Sequence, residues 1–314
     1  MNARQFISKV PVPICGLALA LASLDIFLSQ RYDIYSYSIL AALSAIIMAL
    51  FTIRIVVDWR GIIKDIENPA AFAVLPTYTM TLMLLSTYIK SFAFDIALAV
   101  WLGAIIMSFV LMFFFVKKFI LKFNIMTVFP SWVIVFVGYV VASVTSPTFG
   151  MQDLGKILFW CGLIGYLIIL PLAAYRTLKV RKIPEPLTPQ IAIFAAPANL
   201  CIVGGLSAYG GSPPEFVLIL LIVLSVVSYV AVMAYMPKML NSKFYPSYAA
   251  LTFPLVISAV SFYRFGEHYG LSSVEIFVIL REITVAAAIL IVAYVFIRYM
   301  IYLYQTAKGP GTTA

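Results

Sequence analysis

The chain has 314 residues, of which 64% are hydrophobic and only 11% charged, and its mean hydropathy is +1.06. No soluble domain of this length hides so much apolar surface, so the composition describes a polytopic membrane protein whose first partner is the lipid bilayer. The net charge of +9 points to lysine and arginine held at the cytoplasmic face rather than to nucleic acid, and the single histidine, His268, argues against a histidine metal or acid–base centre.

Apolar runs near the twenty residues that cross about 30 Å of hydrocarbon fill the sequence. They predict helices at about 10–29, 36–57, 69–90, 95–117, 126–147, 153–176, 187–208, 214–236, 246–264 and 274–303. Continuous runs of this length are helical, because a barrel strand would alternate over about ten residues. The first run follows Arg4 and Lys9 as a signal peptide would, but the spans after it make it a retained first helix. The expectation is one transmembrane domain over 1–314, with a short cytoplasmic N-terminus at 1–9 and a cytoplasmic tail at 304–314.

Taken in order, the odd spans repeat one pattern. Span one opens at Pro11, span three at Pro69, span five at Pro130, span seven at Pro189 and span nine at Pro246, a period of 57–61 residues. A second helix breaker follows inside each: Gly16, Pro76, Gly138, Pro197 and Pro254. The opening proline sits near the first helical position, where its missing N–H costs nothing. The second removes a hydrogen bond and clashes with the turn before it, so the helix is expected to bend there. Freed backbone groups inside a bilayer must face protein or a watery cavity. Five breaks at one depth therefore suggest inner helices flexed around a common axis.

The residues just before the breaks are Cys15, Leu75, Val137, Ala196 and Phe253. Only Phe253 is aromatic. A phenyl ring at a constriction blocks a pore by sterics and dewetting; packing between helices is the competing reading, as for most of the 24 phenylalanines. The odd spans carry uncharged polar residues, Gln190 and Ser258 among them, and four of these, Thr77, Ser131, Asn199 and Thr252, are the candidate pathway groups. Asp25 is the one ionisable side chain well within an odd span, and no rings of acids mark a cation path. This leans toward passive anion conduction.

Topology follows from the basic residues. Of the 21, 16 fall on the side holding the N-terminus, the even-to-odd connections and the C-terminus, and 5 on the other, which places both termini in the cytoplasm. Each repeat is then one hairpin, and all five share one orientation, unlike inverted transporter repeats. Arg281 and Glu282 inside the tenth span read best as a paired structural contact. The clusters Lys117–Lys118 and Arg176–Lys182 read as topology signals that also raise the local anion concentration. Cys15, Cys161 and Cys201 lack metal-ligand spacing. With no nucleophile–base pair, phosphate loop or dinucleotide fingerprint, an enzyme is the least favoured class and no cofactor is expected.

Val10-Pro-Val-Pro-Ile-Cys-Gly16, Asn68-Pro69-Ala-Ala-Phe-Ala-Val-Leu-Pro-Thr77, Phe129-Pro-Ser-Trp-Val133 with Gly138, Ala195-Ala-Pro-Ala-Asn199 and Leu251-Thr-Phe-Pro-Leu255 together resemble the first, third, fifth, seventh and ninth helices of the tellurite-resistance/dicarboxylate transporter family. That family includes bacterial TehA and the plant guard-cell slow anion channels. The resemblance covers essentially the whole chain. It implies a quasi-five-fold ring of hairpins, odd helices inside and kinked, even helices outside, in a homotrimer with one pore per subunit. It also implies that the gating phenylalanine of the ninth helix falls on Phe253. Two departures matter: Gly16 stands where a mid-helix proline would strengthen the first repeat, and the phosphorylation control of the plant channels is not expected without a long cytoplasmic tail.

The function expected is a plasma-membrane anion channel or channel-like exporter for small inorganic or organic anions. The alternative is a carrier, proton-coupled in one version, for C4-dicarboxylate, sulfite or tellurite-type oxyanions. A third reading, a membrane scaffold that transports nothing, fits the repeated central breaks poorly.

Overall fold

The computed structural model describes residues 2–32, 38–241 and 243–308. Residues 36 and 37 of the second expected span, Met1 of the N-terminal segment and 309–314 of the expected tail lie outside the described residues. Among the described residues the regular structure is entirely helical. Ten of these helices are long and apolar enough to cross a membrane: α1 (Ile14–Tyr32), α2 (Ile39–Val57), α3 (Pro69–Ile89), α4 (Phe94–Ile120), α5 (Trp132–Phe149), α6 (Gln152–Val180), α7 (Glu185–Ala208), α8 (Glu215–Leu240), α9 (Pro246–His268) and α10 (Glu275–Lys308). The last runs beyond its expected end because Arg298–Lys308 carries good helix formers, with Lys308 complementing the dipole in the final turn.

Burial separates the spans by parity. The odd helices are 72–89% buried and the even ones 28–39%. Even helices turn large apolar side chains such as Ile46, Phe113, Ile168 and Val227 outward, which is the surface hydrocarbon accepts. Each even helix packs on the odd helix before it. The odd helices also touch in succession, α1 on α3, α3 on α5, α5 on α7 and α7 on α9, and α9 packs back on α1.

Small residues permit the close approach of α5, α6 and α7. A Cβ on Gly204 of α7 would stand 2.7 Å from Val140 Cγ1 of α5, and one on Gly162 of α6 would stand 2.1 Å from Val140 Cγ2. Backbones can come this close only where no side chain intervenes.

The inner breaks are changes of helix type rather than bends in one continuous α-helix. In α3, a short helix at Pro69–Phe72 ends in a turn before α geometry resumes at Pro76. In α7, 3-10 geometry runs over Glu185–Ala195 and α geometry starts at Ala196. In α9 the change comes between Leu251 and Thr252, and α5 passes through a 3-10 turn at Gly138–Val140. Pro76, Pro197 and Pro254 thus fall in the first turn of an α segment, where no N–H is required of them. A 3-10 run as long as that in α7 is uncommon, and mid-helix 3-10 often marks a functional hinge. The entry proline behaves as expected in α3, where Asn68 caps the helix by accepting from Ala70 N at 2.9 Å. Pro189 instead lies inside the 3-10 run.

Two of the buried arginines, Arg54 and Arg281, have acidic partners, whereas Arg176 is buried without one and donates to the Lys182 carbonyl. Arg54, 4% exposed, donates to the Val10 carbonyl and to Asp65, fastening the end of α2 to the entry of α1. Arg281 donates to Glu282 at 2.9 Å, and Glu282 also accepts from Tyr32 at 2.8 Å. The guanidinium groups of Arg31 and Arg281 both lie over the Tyr263 ring, so this pair joins α1, α9 and α10 as a structural contact.

Candidate functional site

The breaks of α3, α5, α7 and α9 border one cavity together with Gly16 of α1, which lies in the first turn of an unbroken α-helix (Ile14–Tyr32), so the bend expected at Gly16 is not found. Its wall includes Gly16 from α1, Thr77 from α3, Gly138 from α5, Pro197 from α7 and the consecutive Phe253 and Pro254 from α9. Pro76 is absent from the wall, which Val74 and Thr77 form on either side of it. The free volume is about 50 Å³, room for a few water molecules. Every side chain on the wall is uncharged, and the hydrogen-bonding ones are Thr77, Gln190 and Ser247. Phe253 is 7% exposed, and the surface it retains faces an apolar, narrow space.

A second cavity, of about 200 Å³, opens where the odd helices begin. Asn68, Ala70, Pro186, Tyr245 and Pro246 are on its wall. Pro13, Gln190 and Ser247 line both cavities, so these three form the neck between them.

The polar candidates divide. Thr77 is on the wall, with its hydroxyl donated to the Val74 carbonyl at 2.7 Å. Ser131, Asn199 and Thr252 lie outside the wall. Asn199 Nδ2 donates to the Ala195 carbonyl at 2.7 Å and to Ser258 Oγ at 3.0 Å, tying α7 to α9. Thr252 Oγ1 donates to the Ala249 carbonyl at 2.7 Å, and Ser131 is fully buried. Asp25 also lies off both walls, where it accepts from the Tyr88 hydroxyl at 2.6 Å.

Sequence reasoning passed over Ser247 and gave Gln190 no special place. A signal existed: Ala70, Ser131, Gln190 and Ser247 each follow an entry proline, and three of these four line the mouth.

The family model for SLAC1, the voltage-dependent anion channel, matches residues 10–300. The chain belongs to the voltage-dependent anion channel family. Membership agrees with the resemblance carried by the five odd helices and makes this a multi-pass transport protein rather than an enzyme. Voltage-dependent anion channels conduct anions, and both cavities lie among the inner helices of the matched region. No curated protein matches the chain.

Proposed function

We propose that this protein is a plasma-membrane anion channel or channel-like exporter, with a pore in each subunit of a homotrimer and Phe253 as the occluding gate. The observation that carries this reading is the placement of Phe253 on the wall of a narrow, uncharged cavity to which all five odd helices contribute residues. An aromatic ring in an apolar constriction excludes ions by sterics and by dewetting. The α segments of α1, α3, α7 and α9 begin beside the cavity, and helix N-termini carry partial positive charge that favours anions without a fixed cation.

The five odd helices form a quasi-five-fold ring in this reading, with the even helices outside. Support comes from the contacts that run from α1 to α9 and back to α1 and from the burial of the odd helices. Both termini are cytoplasmic, on the strength of the basic residues that flank the odd-helix entries. The whole chain acts as one transmembrane domain.

A proton-coupled oxyanion carrier needs a titratable group in its path. Asp25 is engaged with Tyr88 away from either cavity wall, which favours the channel. Flux of chloride, nitrate, sulfite and malate into liposomes holding the purified protein tests the reading. Anions should pass without a pH gradient, and Phe253→Ala should raise the flux at least ten-fold. Equal flux in the two proteins removes the gate, and no anion flux in either removes the channel.

A further inference from the structure

The neck between the two cavities is where a permeating anion must first lose water. The mouth offers about 200 Å³ and the inner cavity about 50 Å³. Three residues border both, and they differ in what they offer an ion. Pro13 has no N–H and an apolar ring. Ser247 donates its hydroxyl proton to the Pro186 carbonyl, so the side of its oxygen left over is an acceptor.

Gln190 is different. It is 2% exposed, and among the described residues its side chain makes no hydrogen bond. Its Oε1 is enclosed and without a partner, which leaves the Nε2 amino group as the end of the amide that reaches the neck. An amide nitrogen carries two N–H donors, and donors in a site shielded from water act more strongly than in bulk solvent.

We propose that Gln190 is an anion-coordinating station at the neck: its amide donates to a small, partly dehydrated anion passing between the mouth and the Phe253 cavity. A neutral donor suits this place. It replaces part of the hydration shell, yet it holds the ion without the full charge that would trap it in a conduction path. The ion served is an acceptor small enough for the inner cavity. The neighbouring repeat carries Ser247 at the same register after its entry proline, so the station is asymmetric around the axis and built on α7.

This inference rests on the anion-channel reading, and its test separates the two. Chloride conductance is measured in the open Phe253→Ala protein and in the same protein carrying Gln190→Glu or Gln190→Leu. Both substitutions keep approximate side-chain size. Gln190→Glu places a carboxylate where the amide stood and should lower conductance at least ten-fold. Gln190→Leu removes the donors without adding charge and should raise the half-saturating chloride concentration at least three-fold. If Gln190→Glu does not give a monodisperse protein, the leucine variant alone decides the matter. Conductance reduced less than ten-fold by the glutamate, or a half-saturating concentration unchanged in the leucine variant, overturns the station while leaving the channel intact. A Phe253→Ala parent that passes no anion overturns the channel itself and the station with it.

Discussion

The hydroxyl of Thr252 lies 3.3 Å from the carbonyl oxygen of Gly16. Its one proton goes mainly to the Ala249 carbonyl of its own helix at 2.7 Å, with the Gly16 carbonyl of the neighbouring α1 as the weaker, shared acceptor, so the residue that precedes Phe253 is tied to the first inner helix. One buried hydroxyl thus couples the start of the α segment in α9 to α1. Thr252→Val keeps the shape and removes the donor, at a cost of about 1 kcal/mol in stability. Anion flux should rise several-fold over the parent, though less than in Phe253→Ala, because the ring remains while its backbone is freed. Liposome flux measured beside thermal unfolding checks this, and flux equal to the parent would mean that the tie plays no part in closure.

Gly138 and Met80 touch between the neighbouring helices α5 and α3. A Cβ on Gly138 would meet the Met80 sulfur at 2.9 Å. The thioether is the flexible end of its side chain, so it gives way, and both residues stand on the cavity wall. Gly138→Ala in the Phe253→Ala protein should therefore narrow the path and reduce anion flux at least three-fold. Adding Met80→Ala should restore it. A triple variant that stays as slow as the double one would place the effect in the α5 backbone instead.

The ten spans were legible because an unbroken apolar run near twenty residues has few alternatives in a bilayer. The positions of Gly16, Gly138, Pro197, Phe253 and Pro254 beside one cavity were legible because helix breakers recur there at a fixed period. The nature of the break was not. Both helix types accept the same apolar residues, and only hydrogen-bond geometry separates Glu185–Ala195 from the α segment after it. The polar candidates were hard for a related reason: on an inner helix a hydroxyl or amide meets either a cavity or a neighbouring helix. Asn199 meets Ser258 and Thr252 meets Gly16, whereas Gln190 reaches the neck. Ser247 stands at the helix entry, beside Pro246 and away from the mid-helix position that the recurring breakers mark.

Close packing of α5, α6 and α7 rests on Val140 fitting between two glycines. Gly204→Ala forces a methyl to within 2.7 Å of Val140 Cγ1 and 3.2 Å of Ser143 Cβ. Neither neighbour is the end of a long side chain, so the helices must separate. Overpacking of this kind costs about 1–3 kcal/mol. Val140→Ala should recover part of that loss, because it removes the methyl that the new Cβ meets. Thermal unfolding in detergent of the two single variants and the pair gives the coupling directly. Purely additive losses would show that α7 shifts as a body rather than clashing at Val140.

Asp25 decides between passive conduction and proton coupling. It is 3% exposed, accepts from the Tyr88 hydroxyl at 2.6 Å and from Ala41 N at 3.3 Å, and borders neither cavity. Its work is to satisfy two buried donors, one on α3 and one on α2. Asp25→Asn keeps an acceptor oxygen for Tyr88 and removes the titratable proton. Anion flux should stay within two-fold of the parent and remain independent of an imposed pH gradient. Asp25→Ala leaves both donors unpaired and should lower stability by about 1–3 kcal/mol, again with little change in the anions conducted. If instead the parent requires a pH gradient and acidifies the liposome lumen, and Asp25→Asn abolishes both, the protein is a carrier whose proton site lies at Asp25.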